Sequence, residues 1–240
     1  MLNLLPLLQS SHRLLMEGKE DPGISEAYQY LVSRGLTDED LTKYLIGYKN
    51  HHPPIESQDS DLAPFLEMTG DLRLLNRKIL FPILNTVGFA DGILARSLPS
   101  YTGSGKRYRN FPLKSSEDCG LIFGLHQALP YIYETGIVYV VEGAIDCITL
   151  AKELPNTVST LTSKITEEQA FTLSLLAQQM VVVFDSDEAG EYGAREAYTH
   201  HSPKFKRVAI KSTPYNDCNS SFLSLGEEDF RDMVKKRIKV

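Results

Sequence analysis

The sequence predicts an α/β protein: a parallel sheet flanked by helices, preceded by a smaller α+β subdomain. Three observations predict it. From about residue 135, the short apolar runs IVYVV (137–141), MVVVF (180–184) and RVAIK (207–211) alternate with stretches of helical periodicity. The first two runs are wholly apolar, as expected of strands buried on both faces. Ahead of them the texture differs, with helical patterns over residues 1–50 and a single strand–turn–strand signal. Repeated strand–helix alternation implies a parallel sheet layer. The expected division is therefore residues 1–134 and residues 135–240.

The elements follow in order. The opening MLNLLPLLQSSHRLL is apolar, but no basic residue precedes it, and Pro6 and His12–Arg13 interrupt it. That pattern suits the first helix of a cytoplasmic protein better than a signal peptide. No run approaches the roughly 18 apolar residues of a membrane span. Residues 24–34 read as a helix, and Thr37 with Asp38, Glu39 and Asp40 marks the start of another. Residues 50–62 are a polar, proline-containing connector. KILFPIL (78–84) and GFADGILARSL (88–98) read as two strands about a turn at Asn85 to Gly88. Residues 99–120, with Tyr101, Tyr108 and Phe111 among Gly, Ser, Lys and Arg, read as a loop-rich, locally basic surface.

In the second part, Ala144, Cys147, Ile148, Ala151 and Leu154 fall at helical spacing. VSTLT (158–162) is strand-like, and Thr166-Glu-Glu opens a helix to about Ala177. Ala189, Gly193 and Ala197 recur every four residues, so their helix can lie close on a sheet.

Composition narrows the possibilities. A chain of 240 residues, 42% hydrophobic, can build a stable core without disulfide or metal staples. Acidic residues outnumber basic ones by 31 to 25, which excludes a protein that coats nucleic acid through general positive charge. The three cysteines, Cys119, Cys147 and Cys218, form no C-x-x-C pair, so neither a disulfide scaffold nor a zinc ribbon is expected. His51–His52 and His200–His201 lack the i, i+4 spacing of helical ligand pairs and read as surface residues.

The chemistry is in the carboxylates. Ligands of open parallel sheets bind beyond the carboxyl ends of the strands. IVYVV runs into Glu142-Gly143-Ala144-Ile145-Asp146, MVVVF into Asp185-Ser186-Asp187-Glu188-Ala189-Gly190, and RVAIK leads by a short loop to Asn216-Asp217-Cys218-Asn219. Glu142, Asp185, Asp187 and Asp217 are thus expected at one edge of one sheet, with Asp185 and Asp187 on the same side of an extended chain. Such a cluster repels itself unless cations sit within it. Hard oxygen ligands without His or Cys favour magnesium or manganese, which in such sites usually meets phosphates. The plainer alternative is helix capping, open to any single acid at a helix start but not to four acids at three strand ends.

These residues resemble a known family. E-G-A-I-D after an apolar strand and F-D-S-D-E-A-G before a helix resemble the TOPRIM signature shared by DnaG-type primases, topoisomerases and several nucleases. YLVSRGLTDEDLTKYLIGY (30–48) resembles the opening of the DnaG-type primase catalytic core. KILFPILN and GFADGILARSL are similar to its basic strand pair, GKRYRNFP (105–112) to its K-Y-x-N-S-P segment, and IFGLHQAL (122–129) to its Y-G-L-x-x-A helix start. TLTSKITEEQAFTL (160–173) and YNDCNSSF (215–222) are similar to later stretches, in the same order.

The resemblance implies that Glu142, Asp185, Asp187, Asp217 and Asn219 hold magnesium or manganese ions, with Glu142, Asp185 and Asp187 catalytic. Asn219 stands where many members carry Asp, Ser186 where Gly is common, and Ser220 where Glu is frequent. Asp146, four residues after Glu142, is either a supporting acid behind the ligands or a first-turn helix acid. Lys78, Arg96, Arg107, Tyr108 and Asn110 match the family's template and nucleotide surface, with Tyr108 placed to stack on a base. Arg96 ends an apolar run, where an unpaired charge is costly, which favours a functional role. Lys106 and Arg109, flanking them, read as an ordinary solvated loop. Glu117-Asp118-Cys119-Gly120 departs from the family, which tends to carry Lys there, and Lys114 lies near enough to compensate.

The resemblance further implies synthesis of short RNA primers from ribonucleoside triphosphates on single-stranded DNA. It also implies a replicative helicase as partner and a zinc-ribbon module on a separate protein, in a compact form suited to a phage. Two alternatives stay open: a TOPRIM-type nuclease, and a primase-like replication accessory with weakened chemistry that binds DNA or helicase.

Overall fold

The computed structural model describes residues 4–50, 72–100, 107–113 and 120–240. The chain forms two compact units, Met1–Ser115 and Ser116–Val240. His51, His52, Tyr101, Lys106, Lys114, Glu117, Asp118 and Cys119 lie outside the described residues.

The first unit opens with α1 (Leu5–Glu17), α2 (Pro22–Ser33) and α3 (Asp38–Lys43). Pro6 falls in the first turn of α1, where a missing N–H costs nothing. Asp21 caps α2 by accepting the Gly23 N–H at 2.7 Å. At α3 the Thr37 hydroxyl accepts the Asp40 N–H at 3.2 Å while the Asp40 carboxylate accepts the Thr37 N–H at 2.9 Å, a reciprocal capping box.

An antiparallel sheet follows, in the order β1 (Gly47–Lys49), β2 (Lys78–Leu84), β3 (Ala90–Ser97), β4 (Tyr108–Pro112). The turn between β2 and β3 is the one the sequence predicts: Asn85 Oδ1 accepts the N–H groups of Val87 and Phe89, both at 3.1 Å. Pro82 is tolerated inside β2 because β1 pairs only with residues 78–80. One face of the sheet packs Leu80, Ile93, Ala95 and Phe111 against Leu4, Leu7 and Leu8. Gly47 allows α1 to lie this close, since a Cβ there would stand 2.6 Å from the Ser11 carbonyl carbon. Residues 108–112, read from the sequence as loop, are the edge strand β4, in antiparallel register with residues 92–96. Only Phe111 of β4 is fully buried, so no hydrophobic alternation announced the strand.

The second unit contains α4 (Leu125–Thr135), β5 (Ile137–Val141), α5 (Ala144–Ala151), β6 (Thr157–Ser159), α6 (Glu167–Leu176), β7 (Gln179–Val182), α7 (Glu188–His201), β8 (Arg207–Ile210), α8 (Cys218–Leu225) and α9 (Glu227–Met233). Its four strands are all parallel, in the order β6-β5-β7-β8. Helix α4 belongs here, ahead of the expected division near residue 135, because Leu125, Ala128 and Ile132 join Val138, Val140, Val158, Met180 and Val182 in one core. Helix α5 is buried on every side except at Asp146, consistent with its apolar sequence. His201 is buried rather than exposed, its Nε2 3.0 Å from the Ile165 carbonyl. Cys147 and Cys218 are buried free thiols. Among the described residues no helix is long and apolar enough to cross a membrane.

Helix α7 lies close on the chain after β6 at Gly193, whereas Ala189, the first of its small residues, is exposed. A Cβ on Gly193 would stand 1.8 Å from the Ser163 carbonyl oxygen, and backbone cannot yield as a flexible side chain can. Gly193→Ala should therefore destabilise the protein by about 1–3 kcal/mol, read from chemical denaturation midpoints.

Candidate metal and nucleotide site

The parallel sheet has one point where successive connections leave in opposite directions. The chain from β5 crosses to β6 on one side, and the chain from β7 crosses to β8 on the other, so the switch point lies between β5 and β7, beyond whose carboxyl ends ligands of such sheets bind. Glu142 follows β5 directly, and Asp185 follows β7 after Val183 and Phe184. The two are joined: Glu142 Oε1 accepts the Asp185 N–H at 3.0 Å. Below them the ladder continues, with the Val183 N–H donating to the Val140 carbonyl at 2.8 Å. The Glu142 carbonyl is fixed from β6 by the Ser159 hydroxyl at 2.6 Å.

The other two acids arrive on helix starts. Asp187 Oδ1 accepts the Gly190 N–H at 2.8 Å and caps α7. Asp217 Oδ1 accepts the Ser220 N–H at 2.5 Å and caps α8. Capping and membership of the cluster thus coexist for Asp187 and Asp217, each spending one oxygen on a cap. Glu142 caps nothing; Gly143 occupies the N-cap of α5 without a side-chain bond. The two loops are tied by the Ser186 N–H, which donates to the Asn216 carbonyl at 2.6 Å.

Asp146 stands behind this group. Its Oδ1 accepts the Asn219 N–H at 2.9 Å, so α5 holds the first turn of α8. Its carboxylate lies against Gly143, where a Cβ would meet Oδ2 at 2.4 Å. Asn219 is fully buried, and its Nδ2 donates to the Thr149 hydroxyl of α5 at 2.9 Å. Sequence reasoning passed over three contributors: Ser159, Thr149 and Gly190. A Cβ on Gly190 would stand 2.2 Å from the Asp185 carbonyl oxygen and 2.6 Å from Glu142 Oε1. Its place in D-E-A-G was the available signal; nothing in the sequence marked Ser159 or Thr149.

The charges are mutually unfavourable as they stand. Burial first, then the carboxylates of Glu142, Asp146, Asp217 and Asp187, push the Asp185 carboxyl up to about 8. Burial also raises Glu142, opposed by the Asp185 amide and reinforced by Asp187. Among the described residues no three His, Cys, Asp or Glu side chains already converge on one ion position. The donor chemistry nevertheless fits a hard divalent cation: all-oxygen ligands, clustered closely enough that one is pushed towards its protonated form.

The basic residues of the first unit are divided by the pleat. In the β2–β3–β4 register, Lys78 pairs with Ser97 and Arg109 with Ala95, placing Lys78 and Arg109 on one face. Arg96, Tyr108 and Asn110 fall on the other. Lys78 donates to the Ser97 hydroxyl at 2.6 Å, and burial followed by the Arg109 charge lowers its pKa. Arg109, read from the sequence as a loop residue, is thus a strand partner of this patch. Arg107 and Asn110 are exposed.

Arg96 is buried, 5% exposed, and its charge is met inside the unit. Its guanidinium lies 3.6 Å from the Tyr30 ring centroid and 5.4 Å from that of Tyr108. It also donates to the Tyr108 hydroxyl at 3.0 Å and to the Ser97 carbonyl at 2.8 Å. The cost of an unpaired charge, which favoured a functional role, does not arise. Burial beside these groups pushes the Tyr30 hydroxyl up to about 12.

Comparison with known proteins agrees with this architecture. The Toprim-like family matches residues 139–222. A DNA primase of Thermotoga maritima is 26% identical over 239 residues, which is 90% of this chain and 40% of that protein. The chain therefore spans well under half the length of this curated relative. The RNA polymerase domain of Mycobacterium tuberculosis primase DnaG, solved with double-stranded DNA, superposes with a TM-score of 0.79 at 21% identity, covering 98% of this chain and 80% of that one. A DnaG primase catalytic domain bound to single-stranded DNA gives 0.74 at 21% identity, covering 98% and 81%.

Two outcomes test the site. Asp185 binds a proton more tightly folded than unfolded, so it works increasingly against the metal-free fold as pH rises from about 4 to about 8. Asp185→Asn should raise the metal-free Tm at pH 8 and abolish the rise in Tm that manganese produces in the wild type, a rise that weakens as pH falls below about 8. Arg96→Met should lower stability by about 2 kcal/mol through loss of the tyrosine stack, whereas Arg109→Met should leave it within about 0.5 kcal/mol, both measured by urea denaturation.

Proposed function

We propose that this chain, which carries a Toprim-like domain within the fold of a DnaG-type primase catalytic core, joins ribonucleoside triphosphates into short RNA primers on single-stranded DNA. The observation that carries the proposal is the extent of the likeness. It runs through 98% of the chain, including the first unit with its basic strand pair, and not through the Toprim-like domain alone. A TOPRIM-type nuclease would need only the second unit.

In this proposal Glu142, Asp185, Asp187 and Asp217 hold magnesium or manganese. When bound, those ions would supply positive charge for the triphosphate and the leaving pyrophosphate. The protein's own residues position. The Asp185 amide fixes the Glu142 carboxylate, and Ser159 fixes its carbonyl. Asp146 holds the α8 turn that presents Asp217. Asn219, whose Nδ2 is held by the Thr149 hydroxyl, joins these acids as an ion ligand through its carbonyl oxygen. No side chain serves as a covalent nucleophile; orientation and electrostatic stabilisation account for the catalysis. Lys78, Arg107 and Arg109 supply cations for the template backbone, and the exposed ring of Tyr108, held by Arg96, together with Asn110 supplies base contacts. A replicative helicase is the protein partner this assignment implies.

The test is primer synthesis with single-stranded DNA of varied sequence, magnesium or manganese, and labelled ribonucleotides, resolved on a gel. Short RNA that requires template and disappears in Asp185→Ala and Asp187→Ala is the expected outcome. Cutting of the template that needs the same acids, without RNA, would replace the primase with a nuclease. Neither product, with template binding intact, would favour the accessory.

A further inference from the structure

We propose that a groove at the open edge of the parallel sheet, between the end of β8 and the C-terminal segment, is a phosphate-binding site. The groove has a volume of about 290 Å³ and is lined by Ile210, Lys211, Ser212 and Arg237. Lys211 continues β8, with its N–H donating to the Val182 carbonyl of β7 at 2.9 Å. Arg237 lies in the π-helical segment Val234–Ile238, whose ends are pinned by Val234 and Ile238, 1% and 0% exposed. Beyond it the Val240 N–H donates to the Tyr139 hydroxyl at 3.3 Å. Both cations therefore rise from anchored backbone.

Their charges are not spent elsewhere. Among the described residues neither Lys211 nor Arg237 has a carboxylate partner. The neighbouring Lys235 and Lys236 differ, standing 4.0 Å and 3.6 Å from Asp232. A guanidinium, an ammonium and the Ser212 hydroxyl around one concavity offer donors that a phosphate oxyanion would take up. Size agrees: about 290 Å³ leaves room for phosphate groups. Place does too. β8 ends at the same edge of the sheet as Glu142 and Asp185, where the carboxylate cluster repels anions. Two cations at that edge would offset the repulsion for a phosphate approaching it. The phosphate is either part of a polyphosphate or one link of a nucleic-acid backbone. The proposal deepens the primase reading, on which it rests for those two sources.

The test compares the full-length wild type with Lys211→Ala/Arg237→Ala, and with Lys235→Ala/Lys236→Ala as a control that removes the same charge. Inorganic tripolyphosphate is titrated by calorimetry without metal, and a fluorescent oligothymidylate by anisotropy over a range of salt. Loss of tripolyphosphate affinity by about tenfold or more in the first variant and not in the control supports the site. A salt slope for the oligonucleotide lowered by about 1–2 in that variant assigns the phosphate to a strand; an unchanged slope assigns it to a free polyphosphate. Equal binding of both probes by variant and wild type, or equal losses in variant and control, would overturn the proposal. Equal melting temperatures exclude misfolding as the cause. Tripolyphosphate binding that persists in a wild type unable to make RNA would count against the primase reading and leave the groove standing.

Discussion

A single backbone amide organises the second unit. The Asp185 N–H, donated to Glu142, joins the ends of two adjacent parallel strands at the place where their outgoing connections diverge. Once that bond forms, everything around it is constrained. Gly190 must lack a side chain, because its Cα faces both the Asp185 carbonyl and the Glu142 carboxylate. Helix α7 must start where it does, with Asp187 as cap, and Gly193 must be bare against Ser163. The loop bearing Asp217 is held through Ser186 and Asn216. The same arrangement sets an unfavourable condition: burial first, and then the carboxylates drawn together here, push Asp185 up to about 8. The fold concentrates negative charge at one edge, and all-oxygen donors gathered in this way suit a hard divalent cation.

The second constraint is the pleat of the antiparallel sheet. Adjacent residues of β4 point to opposite faces, so a basic stretch contiguous in sequence becomes two surfaces with different tasks. Lys78 and Arg109 share one. On the other, Arg96 is stacked against Tyr30 and bonded to Tyr108, binding helix α2 to the sheet. A charge that would be costly in an apolar strand is made tolerable by two aromatic rings and a carbonyl. An arginine of this kind acts on the exposed surface through the ring it orients.

Much of the fold was legible in advance because its signals are local. Apolar runs marked β5 and β7, Thr166-Glu-Glu marked the start of α6, and Asn85 to Gly88 marked the turn of the hairpin. Small residues at every fourth position foretold that α7 would lie close to its neighbours, and Gly193 bears this out. The carboxylates were legible for the same reason: each lies at or within a few residues of a strand end or a helix start. What escaped was set by partners distant in the chain. Strand β4 lacks an alternating pattern because it is an edge strand with one buried residue, and its pairing with β3 alone defines it. Helix α4 sits with the second sheet because its apolar face fits Val138 and Val140, a fit invisible in its own spacing. His201 is buried by Ile165 and its surroundings, not by its own helix.

The sequence by itself determined the kinds of element, their order, and the acids that end the strands, since those depend on periodicity of 2 or 3.6 residues and on capping chemistry within a few positions. Only the tertiary structure decided which oxygens are occupied by amides, that Asp146 and Thr149 brace Asn219, that Arg96 is enclosed between tyrosines, and that Lys211 meets Arg237 across a groove. The physical reason is range. Local propensity is written in neighbouring residues, whereas desolvation, charge repulsion and close backbone approach depend on groups that the chain brings together from tens of residues apart.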